Sequence, residues 1–160
     1  MEIKELEASD LAGIFSLITD IYDENPMATW FSSRPTVEMI ESLLGYKLIK
    51  ITEKEAVDYV ATEDNRVIGE CEVIKDQYSN GWLGIIVSAA FRSNGIGKKL
   101  LGKAIDRAKI IGIKNLFAEV ARNNSAINFF LKNGFTVRGF ENKDIEKAID
   151  NGIILLEMSL

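Results

Sequence analysis

The sequence predicts one α/β (α+β) domain spanning residues 1–160, a mixed and mostly antiparallel sheet of roughly six to seven strands flanked by about four helices. Three observations predict it. The chain has 160 residues, 47% of them hydrophobic, enough for one core. Residues 56–87 read as β-rich runs joined by short turns. Residues 95–112 form an amphipathic helix between two strand-like runs, so those strands should be parallel with a right-handed connection.

The elements follow in order. Ile3 to Leu6 is a short first strand; Ser9 suits an N-cap, and Leu11, Ile14, Phe15, Ile18 and Ile21 then keep helical spacing. Residues 23–35 hold both prolines, Pro26 and Pro35, with Trp30 and Phe31 between them, and read as a loop. Val37, Ile40, Leu43 and Leu44 resume a helix after Thr36. Val57–Thr62, Val67–Ile74 and Trp82–Val87 are strands of an antiparallel meander, with turns at Glu63-Asp64-Asn65 and Tyr78-Ser79-Asn80-Gly81. Ile96, Leu100, Ala104, Ala108 and Ile111 mark the apolar face of the next helix, which stops near Gly112. Leu116–Val120 is a strand, Ser125–Lys132 a short helix closed by Asn133-Gly134, and Val137–Phe140 with Ile153–Leu160 a last strand pair. No repeat, low-complexity tract or linker divides the chain.

Composition excludes several chemistries. Cys71 is the one cysteine and there is no histidine, which removes an intramolecular disulfide, a Cys/His zinc site and every histidine-based nucleophile system; no metal is expected. A net charge of -5 argues against a nucleic-acid surface and suits an amine-bearing partner. No run reaches the roughly 20 apolar residues of a membrane span, and the start, Met1-Glu2-Ile3-Lys4-Glu5, lacks a secretory pattern, so no membrane association and a cytoplasmic location are expected.

The chemistry concentrates in the turn Phe91-Arg92-Ser93-Asn94-Gly95-Ile96-Gly97-Lys98, between a strand and a helix N-terminus. Unpaired amides and the positive end of the helix dipole bind phosphate there, the glycines allow close approach, and Arg92 and Lys98 add charge. The predicted ligand carries a pyrophosphate. A dinucleotide motif would need a third glycine where Leu100 stands. A P-loop would need glycine at Arg92 and Ser or Thr at Lys99.

Arg92-x-x-Gly95-x-Gly97 instead resembles the R/Q-x-x-G-x-G/A motif of the GNAT superfamily of N-acetyltransferases. Ile85-Ile86-Val87 before it resembles that family's fourth strand. Asn123-x-x-Ala126-Ile127-x-Phe129-Phe130, ending in Gly134-Phe135, resembles its following segment, and Glu157-Met158 its last strand. The resemblance is specific from about residue 81 to 140. It implies a GNAT fold whose strands four and five splay apart, with coenzyme A (as acetyl-CoA) lying in the V. Ile85, Ile86 and Val87 would pair with the pantetheine arm, Arg92, Ser93, Asn94, Gly95, Ile96, Gly97 and Lys98 would hold the pyrophosphate, and Asn123 would contact the pantetheine region. An amine would attack the thioester directly while the Val87 N–H polarises its carbonyl. Dimers are common in the family, so a homodimer is an expectation.

One family feature is absent: Phe130 stands where a tyrosine usually protonates the leaving thiolate, so Phe130 can only pack against the cofactor. A carboxylate is the expected base for the attacking amine. Glu70 and Glu72 share one face of their strand and are the leading candidates, with Glu119 a third. Asp23, Glu24, Trp30 and Phe31 would wall an acceptor site suited to a cationic substrate. The function expected is acetyl transfer from acetyl-CoA to a primary amine of a small molecule, peptide or protein. A catalytically silent acyl-CoA-binding regulatory module is the alternative, and a nucleotide-binding protein resting on Gly95 and Gly97 a third.

Overall fold

The computed structural model describes residues 1–121, 124–138 and 152–160. In chain order the strands are β1 (Glu2–Glu5), β2 (Ala56–Glu63), β3 (Arg66–Lys75), β4 (Asn80–Val87), β5 (Asn115–Ala121), β6 (Thr136–Val137) and β7 (Ile153–Ser159). The helices are α1 (Leu11–Glu24), α2 (Val37–Thr52), α3 (Ile96–Ile110) and α4 (Ala126–Lys132). They build a seven-stranded sheet in the order β1-β2-β3-β4-β5-β7-β6.

The local chemistry explains most of these boundaries. Asp64 and Asn65 take φ of 49° and 60°, the paired left-handed conformation that closes a two-residue hairpin between β2 and β3. Thr36 Oγ1 accepts the Met39 N–H at 3.3 Å and starts α2 as expected. Ser9 is not the cap of α1. The chain first makes a 3-10 turn at Ala8–Asp10, where the Asp10 carboxylate accepts the Glu7 N–H and pairs with Lys4, each at 2.9 Å. Of the last strand pair, β6 is described over Thr136–Val137 and β7 over Ile153–Ser159, and residues 139 and 140 of the expected strand lie outside the described residues.

Each face of the sheet buries its own apolar layer. Alternation sends Val57, Ala61, Cys71, Val73 and Leu83 toward Leu100, Leu101, Ala104 and Ala108 of α3, with Phe130 and Phe135 in the same layer. On the other face Val60 and the half-buried Val67 and Ile86 pack with Ile14, Ile18, Ile40 and Leu44 of α1 and α2. Burial at about 25 cal/mol per Å² of apolar surface makes these two layers the main stabilising term.

β4 and β5 run parallel, as the crossover through α3 requires, but they pair only from Asn80↔Asn115 to Trp82↔Phe117. Each then follows its other neighbour. β4 stays in register with β3 from Gly81↔Lys75 to Val87↔Gly69. β5 stays with β7 from Asn115↔Ser159 to Ala121↔Ile153. The sheet therefore parts into a V whose apex is the tilted Trp82–Phe117 ring contact, with centroids 5.4 Å apart.

Candidate active site

Past Trp82 the β5-facing edge of β4 has no strand partner among the described residues, although interior peptide groups ordinarily find one. Leu83, Gly84, Ile85 and Ile86 line a cavity of about 440 Å³ there, within the usual size of a small-molecule site. Glu119, Val120 and Ala121 of β5 and Phe130 of α4 form its far wall. Tyr22 and residues 26–32 form its mouth, and Lys47, Glu70 and Glu72 its floor.

Gly84 shapes that floor. It faces Glu72 across the β3–β4 ladder, and a Cβ at 84 would lie 3.1 Å from Glu72 Oε1. The missing side chain leaves Glu72 room to lie across β4 into the cavity. Glu72 retains 19% side-chain exposure, whereas Glu70 retains 6%. Of the two, Glu72 is the more exposed to the cavity.

Both glutamates meet a partner that pattern reasoning missed. Lys47, 3% exposed, reaches from α2 and places Nζ 2.7 Å from Glu70 Oε1, 2.7 Å from Glu72 Oε2 and 3.1 Å from Asp58 Oδ2. Burial by itself favours the neutral amine, but Glu70, Asp58 and Glu72 outweigh it and hold the Lys47 pKa well above its usual range. Asp58 moves the same way for the opposite reason. Burial first, then the charge of Glu70, drive its carboxyl well above the ordinary carboxylate range despite Lys47. Beyond the 3.1 Å ion-pair contact of Oδ2 with Lys47 Nζ, neither Asp58 oxygen has a hydrogen-bond partner among the described residues. Three acids thus surround one lysine on the cavity floor, with Asp58 the most deeply buried of them.

The glycine turn follows β4 through a 3-10 segment at Ala89–Phe91. Ser93 and Gly95 take φ of 64° and 78°, so the backbone turns back on itself before α3. At Gly95 an added Cβ would meet nothing within 4 Å, which makes the left-handed backbone, rather than crowding, the reason for glycine. Ile96 is buried and pins the turn to the core, while Asn94 and Lys98 are exposed beside it. Gly97 lets α3 approach α4, since a Cβ there would sit 3.3 Å from the Phe129 ring. The first amides of α3 point into this turn without intrahelical acceptors.

The remaining expected residues divide. Ile85 and Ile86 border the cavity on the parted strand. The Val87 carbonyl accepts a hydrogen bond from Arg92 Nε at 2.9 Å. The Arg92 guanidinium also clasps Glu24 through NH1 at 2.5 Å and NH2 at 2.7 Å. Asp23 pairs with Arg34 at 2.8 Å, so the two acids expected to wall the acceptor site are both tied to arginines and neither lines the cavity. Trp30, 70% exposed, and Phe31, half-buried against α1 and α2, do line it. Phe130 is buried edge-on between Phe129 and Phe135 at the cavity wall. Cys71 lies on the opposite face, fully buried, with its thiol pushed up by that burial, so it is no nucleophile. Asn123 lies outside the described residues.

A sheet parted after its fourth strand, a glycine turn opening the crossover helix and an acid-floored cleft define an acyltransferase of the coenzyme A-dependent class. The acetyltransferase (GNAT) family matches residues 16–135, and the chain belongs to that family. The chain is 28% identical over 135 residues, 83% of its length and 80% of the relative's, to the [ribosomal protein bS18]-alanine N-acetyltransferase of Haemophilus influenzae. In fold it is similar to the ribosomal-protein-alanine N-acetyltransferase of Brucella melitensis, with TM-score 0.80, 20% identity and all of both chains covered. It is also similar to yncA of Salmonella typhimurium, a structure containing acetyl-CoA, with TM-score 0.79, 20% identity, and 100% of this chain and 94% of that one covered. Among the described residues no helix is long and apolar enough to cross a membrane.

Proposed function

We propose that this chain transfers the acetyl group of acetyl-CoA to a primary amine, with Glu72 as the general base. The parting of β4 from β5 after Trp82↔Phe117, directly above the Glu72 carboxylate, is the observation that carries this reading. The residues present fit the coenzyme. The unpartnered edge of β4 offers peptide groups to an amide-bearing arm, and the amides at the start of α3 suit a diphosphate. Acetyl-CoA supplies the activated acetyl group as a thioester.

The chain's own groups do the rest. Leu83 to Val87 orient the acyl donor along the strand, with the Val87 N–H the donor proposed for the thioester oxygen. Ser93 to Lys98 hold the phosphates, and the Asn123 side chain is assigned to the pantetheine region. An amine enters past Tyr22, Met27, Trp30 and Phe31 toward the acid-rich floor. Glu72 takes its proton, directly or through water, so that the nitrogen lone pair becomes free to attack. A floor with three acids and one lysine suits an acceptor that arrives as a cation. An alanine-initiated peptide is the first acceptor to test, because two proteins similar to this one are named as alanine N-acetyltransferases of a ribosomal protein.

Purified protein with acetyl-CoA should release free thiol when offered an alanine-initiated peptide, spermidine or 2-phenylethylamine. Glu72→Gln should lower kcat about 10²- to 10⁴-fold, the usual size of a general-base contribution. Phe130 favours a second reading, since the wall lacks the hydroxyl expected there: an acyl-CoA-binding module without turnover. Saturable coenzyme binding with no thiol release across a broad amine panel would establish that alternative and remove the first.

A further inference from the structure

We propose that Lys47 is a positioning residue for the acceptor side of the reaction: its ammonium, delivered from α2 into the sheet face, holds the Glu72 carboxylate over Gly84. This rests on the reading of Glu72 as the base. The geometry is that of a built site. Lys47 falls on the apolar stripe of α2, in step with the buried Ile40 and Leu44, where a hydrophobic side chain would pack at no electrostatic cost. Instead a cation is 3% exposed and touched by carboxylates from two strands. Burying an ion costs several kcal/mol, so an isolated structural role is a poor reason for it.

The three acids come to one point because of the register. Asp58 on β2 stands opposite Glu72 on β3, and Glu70 lies two residues further along the same face of β3. Among the described residues, Glu119 of β5 and Tyr22 of α1 border the same cavity, and Cys71 lies on the opposite face of β3. With Lys47 in place, Glu72 Oε2 is tethered at 2.7 Å while its Oε1 lies over Gly84. One oxygen is fixed and the other is left toward the cleft. When an ammonium donor enters, its N–H bond breaks with the electron pair staying on nitrogen, and the proton goes to the Glu72 carboxylate. Lys47 itself gains and loses nothing in this step.

The test pairs a substrate-free measurement with kinetics. In the full chain, the Glu72 side-chain carboxyl carbon and the Gly84 amide are followed by NMR at one pH in the parent and in Lys47→Met. Removal of the cation should shift and broaden both resonances as the carboxylate leaves its place over Gly84; unchanged resonances overturn the proposal whatever the activity. Kinetically, with the fastest of the three amines above, Lys47→Met should lower kcat about 10²-fold, as expected for a base displaced by about 1 Å, and leave the KM for acetyl-CoA within about twofold. In a Glu72→Gln background the same substitution should have little further effect, because Lys47 acts through Glu72. A full, additive loss in that background overturns the proposal. Full activity of Glu72→Gln, or no turnover with any amine, removes the base reading instead and leaves the NMR result to decide what Lys47 does. Should Lys47→Met fail to fold, Lys47→Arg keeps the charge but is bulkier. It should shift the Gly84 amide resonance and lower kcat with the acetyl-CoA KM held, and a parent-like amide and kcat overturn the proposal.

Discussion

A methyl group on Gly84 would meet Glu72 at Oε1 (3.1 Å) and Cγ (3.3 Å), both tighter than ordinary packing. Gly84→Ala is therefore expected to move the carboxylate by a few tenths of an ångström and lower kcat roughly tenfold, with the acetyl-CoA KM unchanged. Steady-state kinetics on the two substrates separates this from a general loss of fold. The neighbouring Asp58 gives a pH prediction. Its folded pKa is raised above the unfolded value, so the stability it contributes is fully present below the ordinary carboxylate pKa of 3.8 and is lost as pH rises toward the folded value. Asn cannot ionise, so the melting temperature of Asp58→Asn should gain on the parent as pH rises from about 4 to 8. A constant difference across that range would show Asp58 to be ionised throughout. Single residues were the least legible scale. The sequence singled out Glu70 and Glu72 because they interrupt an apolar strand. The same logic applied to Lys47 on the α2 stripe and to Asp58 between Val57 and Val60 would have found the whole cluster. What pattern alone could not supply is the cross-strand register that brings all four to one point.

Elements were far more legible, because each is written in local periodicity. α3 was foreseen over 95–112 and spans Ile96–Ile110, and the three meander strands extend one or two residues beyond their apolar runs. The parted strands were not legible in the same sense. Nothing in Leu83–Val87 or Phe117–Ala121 encodes separation; it came from resemblance, and its physical cause is that β4 and β5 each keep full register with a different neighbour. That separation makes a measurable claim. Amides of residues 83–87 that face the open edge should exchange with solvent much faster than those bonded to β3, and coenzyme A should protect them. Protection confined to other segments would remove β4 from the binding surface. At the start of α3, Gly95→Ala forces a Cβ onto a φ of 78° and should cost about 1 kcal/mol of stability. Coenzyme affinity should fall further than stability if this turn holds the phosphates, and calorimetric titration of the folded variant reads that directly.

Across the whole molecule, the two apolar layers hold separate parts of the site. α1 and α2 carry the mouth and Lys47, while α3 and α4 carry the glycine turn and Phe130. Arg92 and Glu24 bridge the two halves, joining the glycine turn to the end of α1 over a sequence distance of 68 residues. The same guanidinium cannot hold Glu24 with both terminal nitrogens and also grip a diphosphate with them, so carboxylate and phosphate compete for it. Glu24→Gln should consequently tighten coenzyme A binding by roughly 2- to 5-fold at low ionic strength, the scale of an exposed ion pair, and salt should erase the gain. The pH dependence has a definite sign. Hydrogen bonds from Arg92 hold the Glu24 carboxyl below its usual range, so the pairing is complete at neutral pH and is lost as pH falls through that lowered value. Parent and Glu24→Gln should then converge in acid, where Glu24 is already neutral. If the substitution weakens coenzyme binding instead, Arg92 serves as a strut that holds the turn against α1, and the backbone amides of Ser93 to Lys98 bind the diphosphate without it.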